Sequence, residues 1–236
     1  MLIRVISDIH GNLAALKAVL DDPPGREAER TVCLGDTVGY GSHPSACINL
    51  VRQISDETVA GNHDFGAAGL MSISSFNQDG RRAIEWTRTQ LEEEQVQWLS
   101  ELPLQTFFYG INLTHASPAD PDSWIYVLTS QHAVNASLAS GEYVSVYGHT
   151  HIAMQWTRTG DCSGGEEGSF LDYPLINCGS VGQPRDGDPR AAYLLLNTED
   201  KTFRHVRVDY DIQAAASAIR AAGLPDFLAG RLFLGK

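Results

Sequence analysis

The chain has 236 residues, 43% of them hydrophobic and 19% charged, and a formal net charge of -12 at pH 7. That length buries a substantial core within one domain, read here as residues 1–236, without cross-links to hold it together. The acidic balance offers no basic surface for an extended nucleic-acid backbone, so small substrates are expected as partners and long polyanions are not.

In chain order, "LIRVIS" at the start reads as a buried strand, followed by the Gly11-Asn12 turn and a helix over "LAALKAVLDD". A second strand-loop-helix unit follows, with "TVCLGD" as the β-branched strand and "PSACINLVRQI" as a helix with Pro44 in its first turn. "ETVAGNHD" reads as a third strand. Strands alternating with helices argue for an α/β fold whose functional groups gather where strands end. The middle is helical, over "DGRRAIEWTRTQL" and "EEEQVQWLSELP", with Glu92, Glu93 and Glu94 as a solvated helix start. The later chain is strand-rich: "QTFFYGINLTHASP", "YVSVYGHTH", "AMQWTRTG", "YPLINCGSVG", "RAAYLLLNTED" and "TFRHVRVDYD" are separated by turn residues, which predicts a second sheet packed on the first. The end reads as a helix capped by Gly223, then Pro225 and a second short helix.

Cys33, Cys47, Cys162 and Cys178 show neither C-x-x-C spacing nor a dense disulfide pattern, and "MLIRVISD" lacks the parts of a signal peptide. No apolar run is long enough to span a bilayer. A cytoplasmic protein with no membrane partner is expected.

Small polar clusters stand at the ends of the predicted strands: Asp8 with His10, Asp36, Asn62 with His63 and Asp64, His115, and His149 with His151. Five of the chain's eight histidines lie there. If extended geometry persists through Asp8-x-His10 and His149-x-His151, both members of each pair point to one side. The set is rich in oxygen and imidazole and has no thiolate, which suits Mn²⁺, Zn²⁺ or Fe and not a closed structural zinc.

"SDIHGN", "CLGDTVGYG", "AGNHD", "THASP" and "YGHTH" together resemble the motif series of the calcineurin-like metallophosphoesterases. "NCGSVGQPRDGDPRAAY" and "GLPDFLAGRL" extend the likeness to small prokaryotic phosphodiesterases and diadenosine tetraphosphatase relatives. The resemblance implies a four-layered α/β/β/α sandwich with two central mixed sheets. It implies two divalent ions, Mn²⁺ first, with Fe, Zn, Ni or Mg as alternatives. It assigns Asp8, His10 and His151 to one ion and Asn62, His115 and His149 to the other, with Asp36 bridging. Two ions about 3.5 to 4 Å apart polarise a phosphoryl oxygen and hold a bridging hydroxide for in-line attack. In the family the histidine matching His63 stands beside the leaving group as proton donor or charge stabiliser. Asp64 then orients His63 and raises its pKa, or else caps the following helix.

The implied reaction is hydrolysis of a small phosphodiester or nucleotide-like substrate. The alternatives are a phosphomonoesterase or phosphoprotein phosphatase, and a metal-binding scaffold without catalysis. The second motif, "GDTVGYGSHP", lacks the phosphate-gripping arginine of the protein phosphatases, which leaves Arg185 in "GSVGQPRDG" as a candidate for substrate grip or as a solvated loop residue. Tyr40, His43, Trp124 and Tyr126 are candidates for stacking on a base or for packing. Cys178 reads as a small packing residue, not a nucleophile.

Overall fold

Twelve strands form among the described residues: β1 (Leu2–Ile6), β2 (Arg30–Cys33), β3 (Glu57–Thr58), β4 (Gln105–Phe108), β5 (Ile111–Thr114), β6 (Val144–Tyr147), β7 (Ala153–Trp156), β8 (Cys162–Ser163), β9 (Glu167–Ser169), β10 (Leu175–Cys178), β11 (Ala191–Asn197) and β12 (Thr202–Val208). The structure is a computed structural model and describes residues 1–141 and 143–236. The strands make two six-stranded mixed sheets, ordered β3-β2-β1-β11-β12-β9 and β4-β5-β6-β10-β7-β8. In the first, β1 runs parallel to β2 and antiparallel to β11, so that Val5 sits opposite Val32 on one side and Leu194 on the other. In the second, β6 runs parallel to both β5 and β10.

Strand alternation explains how the layers stack. Ile3 and Val5 of β1, with Val32, Leu194 and Leu196, face Leu113, Val146 and Ile176 of the opposite sheet, and this is the core between the sheets. The intervening Ile6, with Cys33, Tyr193 and Leu195, packs outward on Leu16 and Val19 of α1 (Leu13–Asp21) and on Cys47 and Val51 of a helix over Pro44–Ile54. Both faces of the strands are therefore apolar, and each fully buried Val, Leu or Ile contributes about 1.5–3 kcal/mol. On the far side, Ala133 and Ala136 of a helix over Ser130–Ser140 cover Tyr147 and Leu175. The result is the expected four-layered α/β/β/α sandwich with two central sheets.

One local expectation changes, and three further elements carry no pattern that announces them. The third strand is only two residues long, and Asn62–Ala68 forms a helix, so Asn62, His63 and Asp64 open a helix and do not end a strand. The cause is local: Asp64 Oδ2 accepts the Gly61 N–H (3.0 Å), the reach-back bond of a capping box, and starts the helix there. The Ser130–Ser140 helix carries no apolar stripe, since it buries only Ala133, Ala136, Ser137 and Ser140. Strands β8 and β9 are too short to show any period.

The C-terminal segment adds α-helices at Ile212–Ala221 and Asp226–Gly230 and a 3₁₀ turn at Arg231–Leu234, whose Leu228 and Leu232 pack against Tyr40. Among the described residues, no helix is long and apolar enough to cross a membrane.

Candidate metal centre

The parallel pairs β1/β2 and β5/β6 end on the same side of the sandwich, and the loops leaving them carry Asp8 and His10, Asp36, His115, and His149 and His151. Main-chain bonds tie these loops together: Asp8 N–H donates to Gly35 O (3.0 Å), His10 N–H to Asp36 O (2.9 Å), and Gly182 N–H to Asp8 O (2.9 Å). All six side chains are buried.

The two D-x-H and H-x-H pairs do not converge by strand alternation. Strand β1 ends at Ile6, β2 at Cys33 and β6 at Tyr147, and beyond them Asp8, His10, Asp36, His149 and His151 all adopt left-handed backbone conformations, with φ of 52°, 49°, 50°, 65° and 61°. Asp and His enter this region more readily than most residues, but non-glycine residues there are uncommon, and such clusters mark functional sites. Each left-handed residue turns the chain back, which brings Asp8 and His10 to one point and sends His149 and His151 to two neighbouring points.

Each imidazole has one nitrogen fixed on a backbone carbonyl: His10 Nδ1 on Val38 O (3.1 Å), His115 Nδ1 on Leu34 O (2.7 Å), His151 Nδ1 on Gln183 O (2.6 Å) and His149 Nε2 on Trp124 O (2.9 Å). A carbonyl only accepts, so that nitrogen carries the hydrogen and the other is the one that presents a lone pair when the ring is neutral. Those other nitrogens meet in twos, His10 Nε2 with His151 Nε2 at 3.1 Å and His115 Nε2 with His149 Nδ1 at 3.2 Å. Asp36 Oδ2 stands between the twos, 3.5 Å from His10 Nε2 and 3.4 Å from His115 Nε2. Asp8 Oδ1 is 3.2 Å from His151 Nε2, while its Oδ2 accepts the His149 N–H (3.0 Å). Asp8, His10, Asp36 and His151 thus gather around one point, and Asp36, His115 and His149 around a second.

Two buried acceptors, Asp8 Oδ1 and Asn62 Oδ1, have no hydrogen-bond partner. Buried carboxylate and amide oxygens are costly to leave so, and a cation satisfies them. The charge states agree. Burial works to raise the carboxyls of Asp8 and Asp36, yet the neighbouring imidazoles, His151 first for Asp8 and His115 first for Asp36, hold both below the usual carboxylate range. Burial pushes His10 well down and His149 down to about 3, keeping both neutral. Burial also lowers His115, but Asp36 and Asp8 outweigh it and lift that imidazole to about 9, so a cation there displaces a proton. The donor set fits two hard or borderline divalent ions.

His63 lies outside this set. Its main-chain N–H donates to Asp36 Oδ1 (2.8 Å), and its ring packs edge-on to His10 (4.7 Å) and Phe76 (4.7 Å) and against Tyr40 (4.4 Å). Its buried Nδ1 has no partner. The expected contact with Asp64 is not made, because Val38 N–H (3.2 Å) and Gly61 N–H (3.0 Å) take both carboxylate oxygens of Asp64. The expected rise in the pKa of His63 is likewise reversed. With no carboxylate on Nδ1, burial pulls the imidazole down to about 4 despite Asp36. Asp64 itself is pushed up to about 7 by burial and then by Asp36.

Arg185 is half-buried at the rim. Its guanidinium donates to Gln183 Oε1 (2.9 Å) and lies 5.9 Å from the Tyr40 ring centroid, and its N–H holds His151 O (3.0 Å). Tyr126 stacks on His149 (4.0 Å), and Trp124 stands edge-on to His115 (6.0 Å). His43 is exposed and bonds Ser42 Oγ (3.0 Å). Cys178 is buried in the core between the sheets, where burial raises its thiol well above the ordinary range. Sequence reading missed the carbonyls of Leu34, Val38, Trp124 and Gln183, because a main-chain acceptor leaves no mark in residue type.

A family model described as the calcineurin-like phosphoesterase superfamily domain matches residues 1–201. The chain is 40% identical over 242 aligned positions to an uncharacterized protein of Methanocaldococcus jannaschii, MJ0912, spanning 100% of this chain and 98% of that one. Its fold is similar to the crystal structure of a metallophosphoesterase from Sphaerobacter thermophilus, with a TM-score of 0.89, 35% identity, and coverage of 100% of this chain and 99% of that chain. It also shares its fold with a hypothetical protein from Pyrococcus horikoshii, PH1004, at a TM-score of 0.82, 18% identity and 100% and 98% coverage. With the same residues gathered around two points that share Asp36, the chain belongs to the calcineurin-like phosphoesterase superfamily, and Asp8, His10, Asp36, His115, His149 and His151 form its dinuclear metal-binding site.

Proposed function

We propose that the protein is a cytoplasmic phosphodiesterase that hydrolyses a small phosphodiester or nucleotide-like substrate with two divalent ions, Mn²⁺ first among Mn²⁺, Fe, Zn²⁺, Ni²⁺ and Mg²⁺. The observation that carries this reading is the position of Asp36 Oδ2, shared between two facing imidazole pairs. When bound, the ions supply Lewis acidity and make water a nucleophile at neutral pH.

Asp8, His10 and His151 hold one ion and His115 and His149 the other, with Asn62 completing the second set through its unpartnered Oδ1. His63 gives a proton to the leaving-group oxygen. An anionic phosphoryl group beside it opposes the burial that keeps the imidazole neutral, so donation waits on substrate. Asp64 acts at one remove: it pins Gly61 and Val38 and so sets the helix start that presents Asn62 and His63. Arg185 grips the phosphoryl group from the rim.

A diester carries two organic arms, and two features next to the ligands can receive them: Tyr126, stacked on His149, and a cavity of about 290 Å³ lined by His10 and Tyr40 together with Leu13, Ile219 and Leu232. The test compares bis-p-nitrophenyl phosphate with p-nitrophenyl phosphate on metal-reconstituted protein. Higher kcat/KM for the diester is expected. A faster monoester reaction overturns the reading in favour of a monoesterase or phosphoprotein phosphatase, and no turnover with both ions retained makes the protein a metal-binding scaffold.

A further inference from the structure

Of the four carbonyls that orient the ligand imidazoles, three belong to buried residues, Leu34, Val38 and Gln183. The fourth belongs to Trp124, which is only half-buried and stands in a surface segment between the 3₁₀ turn Pro121–Ser123 and the helix Ser130–Ser140. Its neighbours Ile125 and Tyr126 are 40% and 44% exposed, and Val127 after them is buried with Tyr147 and Trp156. This short segment makes two contacts with one imidazole. Trp124 O accepts from His149 Nε2 (2.9 Å), and the Tyr126 ring lies over the His149 ring at 4.0 Å with 19° between the planes.

The indole of Trp124 extends these contacts. It stands edge-on to His115, with ring centroids 6.0 Å apart, and edge-on to Phe65 at 5.8 Å, in the helix that Asn62 opens. Both imidazoles gathered with Asp36 around the second point are thus reached from this segment, whereas His10 and His151 of the first point take their carbonyls from Val38 and Gln183. Trp124 holds its place in a left-handed conformation, with φ 55° and ψ 37°. A bulky non-glycine residue there is a costly outlier that persists only where its surroundings fix it, and such outliers gather at functional sites. These two angles set the direction in which the Trp124 carbonyl points.

We propose that Trp124 and Tyr126 are positioning residues for the second ion, the one gathered by Asp36, His115 and His149, and set its affinity separately from that of the first. The left-handed turn aims the Trp124 carbonyl at His149 Nε2, which keeps the hydrogen on that nitrogen and leaves Nδ1 facing His115 Nε2 at 3.2 Å. Tyr126 fixes the plane of the same ring. Outer partners of a metal-binding histidine are worth about 10- to 100-fold in metal affinity. The role is the same for a monoester or a diester substrate, because it acts on the ion and not on the ester.

The test titrates chelator-treated full-length protein with Mn²⁺ by calorimetry, and anomalous scattering from crystals at limiting Mn²⁺ tells the two positions apart. Trp124→Gly and Trp124→Val both remove the indole, but glycine adopts the left-handed conformation freely and a β-branched residue resists it. Trp124→Val is expected to weaken the second ion about 10-fold or more, while Trp124→Gly keeps an affinity at least ~3-fold higher than Trp124→Val. The first ion should stay within ~3-fold of the unaltered protein in both. A second pair stands even where Trp124→Val does not fold, since Tyr126 is 44% exposed. Tyr126→Phe keeps the stacked ring and should hold the second ion as the unaltered protein does, whereas Tyr126→Ala should lose at least ~3-fold. Equal affinities within each pair, or both ions weakened alike, overturn the proposal. No turnover enters these measurements, so a failure of the phosphodiesterase reading leaves their outcome unchanged.

Discussion

His10 Nε2 and His151 Nε2 face each other at 3.1 Å, and the opposite nitrogen of each ring is committed to a backbone carbonyl. Two neutral imidazoles so held aim lone pairs at one another, an arrangement that a shared cation turns from repulsive to attractive. His115 Nε2 and His149 Nδ1 also face each other, at 3.2 Å, but there Asp36 and Asp8 keep a proton on His115 that a cation would replace. These facing pairs define two ion positions without reference to any relative.

The positions should separate by mutation. His10→Ala is expected to lower occupancy of the ion shared with Asp8 and His151, and His149→Ala that of the ion shared with His115, each by about 10-fold or more in affinity. Elemental analysis after dialysis against graded Mn²⁺ reads both. Equal loss of both ions in both variants would show one cooperative site instead of two.

Two glycines crowd the centre and offer a sharper dissection. A Cβ on Gly61 would overlap the Asp36 carboxylate, whereas one on Gly39 would overlap His63 Nδ1, at a backbone φ of 92° that itself disfavours a side chain. Gly61→Ala should therefore lose metal and activity together. Gly39→Ala should keep both ions and lose activity, by about 10²-fold if general acid catalysis is what fails. Metal stoichiometry beside kcat tests the pair, and metal loss in Gly39→Ala contradicts the placing of His63 outside the ligand set.

For His63 the informative variable is the leaving group. A proton donor matters most for a poor leaving group such as an alkoxide and least for p-nitrophenolate. His63→Gln is expected to spare both ions and depress kcat/KM for alkyl or nucleoside esters about 10²–10⁴-fold, with a smaller loss on nitrophenyl esters. Equal losses on both substrate types, with the ions retained, would leave His63 as a charge stabiliser.

How much of this was legible in the sequence depends on what each residue has to do. The ligand identities were readable because oxygen and imidazole donors are residue types. The convergence of Asp8 with His10 was misread as strand alternation, because five left-handed conformations follow from the cross-tied loops and not from any local preference. Strands β1 and β11 announce themselves by apolar runs buried on both faces, while the Ser130–Ser140 helix buries alanines and serines and shows no stripe. Asp64 looks like a partner for His63 in "NHD", but its rotamer is claimed by two backbone N–H groups.

A pH effect on stability is expected away from the metals. His205 is buried, its Nε2 is on Asn177 O (2.7 Å), and burial lowers its pKa below the ordinary value of 6.5. The unfolded chain therefore takes up the proton first as pH falls. The stabilising effect of the neutral ring is complete above about pH 6.5 and declines below it, by at most about 1.4 kcal/mol per pH unit. The difference in Tm between the unaltered protein and His205→Gln should shift against the unaltered protein between pH 7.5 and 5. A difference that holds constant over this range would show that the two folded and unfolded pKa values coincide.

Crystals of Mn²⁺-loaded protein, measured at the manganese absorption edge, decide whether one carboxylate serves two ions. Two anomalous peaks are expected, one within coordination distance of Asp8, His10 and His151 and one of His115, His149 and Asn62, with Asp36 Oδ2 ligating both. A single peak, or two peaks that Asp36 does not join, would contradict the dinuclear site.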